Sequence, residues 1–94
     1  MAEAAPVRLT AWVHGYVQGV GFRWWTRARA LELGLIGYAS NQRDGRVLVV
    51  AEGERTQLER LVELLRSGTT PGSVDLVVDS WDTARGDLTG FVER

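Results

Sequence analysis

From Val7 to Trp81 the spacing of apolar residues switches back and forth between the two-residue period of a strand and the 3.6-residue period of a helix. That alternation leaves a short chain few ways to fold. Val7, Leu9, Ala11 and Val13 fall on one face, with Arg8, Thr10 and Trp12 on the other, so Val7 to Val13 reads as a half-buried strand that runs straight into Gly15. Phe22, Thr26, Ala30 and Leu33 recur at helical spacing up to Gly34, a residue suited to a helix C-cap. Trp24, Ala28 and Leu31 make a second stripe on roughly the opposite side, and the pattern leaves open which stripe meets the core. Leu35 to Asn41 and Arg46 to Glu52 read as two strands joined by a tight hairpin at Asp44-Gly45. Leu58, Leu61, Val62 and Leu65 predict an amphipathic helix ended by Ser67-Gly68, followed by a loop around Pro71 and Gly72. Val74 to Trp81 is expected as a fourth strand with Val74, Leu76 and Val78 on one face, and Phe91-Val92 as a short fifth.

The order strand, helix, strand, strand, helix, strand implies an α+β fold, the ferredoxin-like split βαβ arrangement (βαββαβ), with an antiparallel sheet and two helices on one face. In that topology the first and second strands run parallel, with the third between them. The loop after the first strand and Asn41 at the end of the second then share one edge of the sheet. With 94 residues, 45% of them hydrophobic, the chain supports one modest core, so residues 1–94 are expected to form a single domain. It shows no internal repeat, low-complexity tract or linker.

No run approaches the length of a membrane span, and the N-terminal MAEAAPVR lacks the basic start and apolar stretch of a secretory signal, so the expected location is cytoplasmic. The absence of cysteine excludes disulfides, thiolate metal sites and cysteine nucleophiles. A net charge of -1 gives no general attraction for nucleic acid or anionic membranes. All basic residues are arginine, which removes Schiff-base chemistry and the lysine of a Walker loop.

Gly15, Gly19 and Gly21 lie just ahead of Arg23. Glycines there permit positive φ and leave backbone amides bare, and a loop entering a helix N-terminus gathers N–H dipoles into a site for phosphate or carboxylate. Arg23 adds a planar fork for two oxygens of one phosphoryl group. By position alone, a tight turn with a solvated Arg23 accounts for the same residues. A cation in the first turn of a helix is nevertheless misplaced by about 0.3–1 kcal/mol unless an anion reverses the sign. The loop fits neither G-x-G-x-x-G nor a Walker motif, so no nucleotide is implied.

Residues 13–23, VHGYVQGVGFR, resemble the first signature of the acylphosphatases, and residues 33–45, LGLIGYASNQRDG, resemble the second. The resemblance covers nearly the whole chain; Ala39, Thr70 and the terminal FVER depart from the usual pattern. It implies metal-independent hydrolysis of acyl phosphates to a carboxylate and inorganic phosphate, with no cofactor. It assigns phosphate binding to the loop Gly15, Tyr16, Val17, Gln18, Gly19, Val20, Gly21, Phe22 and Arg23. The resemblance further implies that Arg23 holds the phosphoryl group in catalysis and that Asn41 positions the attacking water. Asn41 alone would otherwise read as a turn residue before Asp44-Gly45. His14, the single histidine, is expected to point away from the face of Ala11 and Val13, and the four tryptophans read as packing or partly exposed aromatics.

The same fold serves RNA-recognition domains, but the strand Arg46 to Ala51 is aliphatic after its first residue, where base stacking needs aromatics. A non-catalytic phosphate- or carbamoyl-phosphate-binding module is the alternative. The signatures also head larger carbamoyl-transfer proteins, and a chain ending after one domain is expected to be the free enzyme. The expected partners are a small-molecule acyl phosphate and inorganic phosphate. With no obvious exposed apolar surface, a monomer is expected.

Overall fold

A computed structural model describes residues 5–94; the first four residues of the N-terminal segment read for a targeting signal lie outside it. Seven elements follow the expected order: β1 (Val7–Tyr16), α1 (Phe22–Glu32), β2 (Ile36–Asn41), β3 (Val47–Gly53), α2 (Arg55–Arg66), β4 (Ser73–Thr83) and β5 (Phe91–Glu93). The sheet order is β4-β1-β3-β2-β5. β3 pairs antiparallel with both β1 and β2, which makes those two parallel, as the split βαβ arrangement requires. β5 joins β2 in parallel, so the sheet is mixed rather than wholly antiparallel. Among the described residues no helix is long and apolar enough to cross a membrane.

Alternation along β1 puts Leu9, Ala11 and Val13 fully inside, against Val47, Val49 and Ala51 of β3. The ambiguity of α1 resolves in favour of Phe22, Thr26 and Ala30, which are buried, while Trp24 and Leu31 of the other stripe face solvent. Leu58, Leu61, Val62 and Leu65 of α2 complete the core on the same side.

In β4 Leu76 and Val78 share a face as expected, and Val74 alone departs from it. Leu76 and Val78 are exposed and Val77 is the buried residue, because Val77, Asp79 and Trp81 pair with Val13, Ala11 and Leu9 and share their inward face. Val74 reaches the core side only through a bulge: His14 pairs with Leu76 and Gly15 with Val74, leaving Asp75 as the extra residue that reverses the alternation. An aspartate can stand on the inward face because Asp79 sits at the rim, accepting from Arg66 Nη2 and Trp81 Nε1 at 2.9 Å each. The Trp81 bond and then the Arg66 guanidinium hold its carboxyl below the ordinary range.

Candidate active site

The bulge that reshapes β4 also shapes the loop. A side chain on Gly15 would run into the carbonyl oxygen of Ser73, so glycine is required there by the close approach of β4. The loop beyond it is pinned at both ends by side chains in the core, Val17 and Phe22, each 1% exposed. What these two residues can offer a ligand is therefore backbone. Between them Gly19 and Gly21 adopt φ of 75° and 84°, and a Cβ on either would point into open space. Gly21 is the N-cap of α1, so the first N–H groups of the helix open toward the same space. No acidic residue occupies the first turn.

Arg23 projects from that first turn, and its Nη1 donates to the main-chain oxygen of Arg94 at 2.8 Å. The N–H of Asn41, at the end of β2, donates to the same oxygen at 3.1 Å. Residues from a helix start and a strand end thus meet at one acceptor beyond β5. A small cavity of about 60 Å³ opens here, lined by Val17, Gly19, Gly21, Phe22, Arg23, Trp24 and Glu93. Since a water's share of the liquid is about 30 Å³, this is room for a small anion.

Other residues of the expected set stand elsewhere. Gln18 turns its amide away from the cavity, its Nε2 donating to the carbonyls of Gln42 and Arg46 at 2.7 and 3.0 Å, and so clamps the loop to the β2–β3 hairpin next to Asn41. Tyr16 is exposed, and Gly15, Val20 and Asn41 lie outside the cavity lining. The hairpin is stiffened from its tip: Asp44 accepts from the Arg46 N–H at 3.1 Å and from Arg46 Nε at 2.7 Å. Those bonds, the backbone one foremost, hold its carboxyl below the ordinary range. His14 sits opposite Leu76 on the outer face of the sheet, away from the loop's cavity. Glu93, Trp24 and Arg94 are the site residues that sequence reasoning missed. Trp24 belonged to a helical stripe that could equally have been core, and nothing in the local pattern of the last strand signals a ligand.

A larger cleft, about 530 Å³, runs between α2 and β4, remote from the loop. Its arginines are engaged, Arg66 with Asp79 and Arg55 over the Trp81 ring at 4.4 Å. Among the described residues no three His, Cys, Asp or Glu side chains gather as a metal site.

The family model described as acylphosphatase matches residues 9–92, the span that carries the loop, the hairpin and the start of β5. The chain belongs to the acylphosphatase family. It is 80% identical over 87 residues to the acylphosphatase of Rhodococcus jostii (strain RHA1), covering 93% of this chain and 98% of that one. Its fold superposes on the crystal structure of acylphosphatase from Bacillus subtilis with a TM-score of 0.87 at 30% identity, covering 94% of this chain and 98% of that one. An acylphosphatase from Coxiella burnetii gives 0.85 at 34% identity, covering 96% of this chain and 94% of that one. Within this acylphosphatase frame, Gly21 and Arg23 come from the first signature and Asn41 from the second, and Arg94 ties the two together.

Proposed function

We propose that the chain hydrolyses acyl phosphates to a carboxylate and inorganic phosphate, with neither a metal nor a covalent intermediate. The observation that carries this reading is the meeting of Arg23 and Asn41 at a single oxygen, beside a cavity walled by bare glycine backbone. Membership of the acylphosphatase family supports it.

The phosphoryl group enters between the loop and Arg23. Backbone N–H groups of the loop between Val17 and Arg23 take its oxygens, with the Gly19–Gly21 stretch nearest. Arg23 keeps Nη1 on Arg94, which fixes the plane of the guanidinium while its other donors reach two phosphoryl oxygens. The Asn41 side chain orients a water in line with the bond to be broken. The water oxygen bonds to phosphorus, the phosphorus–oxygen bond to the acyl group breaks, and its electron pair leaves with the carboxylate. One water proton passes to a phosphoryl oxygen of the departing phosphate. A carboxylate leaves readily without an acid, so positioning and charge stabilisation suffice, and no general base is needed.

The reading includes a cytoplasmic monomer acting on a small molecule rather than on nucleic acid. Two features support the monomer despite the exposed Leu76 and Val78. Guanidinium groups of Arg46 and Arg94 cover Trp12 and Tyr38 on the outer face, at 4.3 and 3.8 Å from the ring centres. The edge strand β4 carries Asp75, Asp79 and Asp82, charges that discourage pairing with another strand.

Benzoyl phosphate incubated with the purified protein and a chelator tests the mechanism. Its hydrolysis should proceed at the same rate with and without the chelator. A rate that vanishes on chelation and returns with a divalent ion would exclude the metal-free route, and no hydrolysis under either condition would exclude the function.

A further inference from the structure

Glu93 is an acidic residue in the lining of the cavity proposed above to take the phosphoryl group. Its position is set by hydrogen bonds on both sides. Arg94 N–H donates to the Ala39 carbonyl at 2.7 Å, and Arg27 Nε donates to the Phe91 carbonyl at 2.9 Å, fixing β5 between β2 and α1. Strand alternation puts Glu93 on the side of buried Phe91, facing α1, with Val92 on the outer face. The nearby guanidinium groups have other partners: Arg23 Nη1 the Arg94 oxygen, Arg27 Nε the Phe91 carbonyl, and the Arg94 guanidinium the Tyr38 ring. Among the described residues Glu93 enters no ion pair.

A free carboxylate here opposes the phosphoryl group, so its presence calls for a gain elsewhere in the reaction. The cavity is too small for more than the phosphoryl end of a substrate, which leaves the acyl group at the mouth, beside Glu93 and the indole of Trp24, itself 62% exposed. We infer that Glu93 selects acyl phosphates by the charge of the acyl group, admitting neutral and aromatic ones and disfavouring those that carry a second carboxylate or phosphate. Trp24 supplies the apolar wall on which a neutral acyl group rests. The inference rests on the hydrolysis proposed above and adds which substrates that site takes. Repulsion between two unit charges about 6 Å apart in well-solvated surroundings amounts to a discrimination of about three- to tenfold.

The test compares kcat/KM for acetyl phosphate and for succinyl phosphate, which bears a second carboxylate, in the wild type and in Glu93→Gln. Affinity for inorganic phosphate is measured by calorimetry on both proteins. Wild type should prefer acetyl phosphate. Glu93→Gln should shrink that preference by about three- to tenfold and bind phosphate more tightly by a similar factor. Taking the ratio of the two substrates cancels any effect on the phosphoryl end that they share. An unchanged ratio in a wild-type enzyme that turns over both substrates overturns the inference alone. Collapse of turnover on both substrates in a folded Glu93→Gln protein also overturns it, by making the carboxylate a participant in the chemistry. If the wild type hydrolyses neither substrate, the hydrolysis reading falls and takes this inference with it.

Discussion

An arginine in the first turn of a helix faces the positive end of the helix dipole, and Arg23 is held there by the main-chain oxygen of Arg94 while it lines a cavity. Asn41 differs in that its two polar parts do separate things. Its N–H anchors the end of β2 to Arg94, and its side chain is the part proposed to act on water. Asn41→Ala keeps the first and removes the second, so Arg23 should stay in place while turnover falls by about 100-fold, roughly 3 kcal/mol, the usual loss for one preorganised donor. Affinity for inorganic phosphate should hardly change, because the lost contact belongs to the transition state. Steady-state kinetics alongside phosphate calorimetry would check this, and affinity lost in step with rate would return Asn41 to a turn residue. Arg23 and Asn41 could be singled out only through the two signatures in which they stand, since by position alone one reads as a solvated first-turn cation and the other as a turn residue. Gln18 was legible only as part of the loop: its amide reaches Gln42 and Arg46, and no local rule tells which way a loop glutamine turns.

Elements were read well wherever one face is buried and one is wet, as in β1, whose alternation has a single register with the core. β4 defeated the same rule. Its run Val74 to Val78 has apolar residues on both faces, and the inserted Asp75 shifts the parity midway, an event that depends on the partner strand and leaves no mark in the sequence of β4 itself. In α1 the two stripes were balanced until packing chose Phe22, Thr26 and Ala30. That choice has a measurable consequence, because it buries the Thr26 hydroxyl with no hydrogen-bond partner among the described residues. An unpaired buried hydroxyl costs about 1–3 kcal/mol, and valine has nearly the same shape. Thr26→Val should therefore stabilise the fold by about 1 kcal/mol with unchanged kinetics, read as a higher urea midpoint at constant m-value. A lower midpoint would mean that the hydroxyl finds a partner in solution.

Across the whole molecule, the outer face of the sheet is tied to the site by one buried carboxylate. Arg8 of β1 and Glu52 of β3 are opposite one another and joined at 2.7 Å, with side chains 9% and 3% exposed. Glu52 also accepts the N–H groups of Arg85 and Gly86, at 2.9 and 3.2 Å, while Arg8 reaches Asp87 at 2.9 Å. Residues 85–87 are thereby strapped onto the sheet, and the chain runs from them into β5 and on to the Arg94 oxygen that orients Arg23. Burial alone would raise the Glu52 pKa, but the Arg85 N–H, the Arg8 guanidinium and the Gly86 N–H outweigh it and hold the carboxyl below its ordinary range. A carboxyl depressed in the folded state contributes stability that is fully present above its unfolded pKa and is lost as pH falls through the folded value. Glu52→Gln leaves Arg8 charged and buried with only the exposed Asp87 as a carboxylate partner, so it should cost about 2 kcal/mol near neutral pH. As the medium is acidified, wild-type Glu52 takes up a proton and loses the same attraction, so the gap between the two proteins should narrow. Urea unfolding at about pH 7 and about pH 3 would measure both values, and a gap that stays constant or widens on acidification would show that the strap does not depend on the charge of Glu52. At neutral pH the variant's loosened strap should also reach β5, lowering kcat/KM for benzoyl phosphate through a less ordered Arg23 even where the protein remains folded.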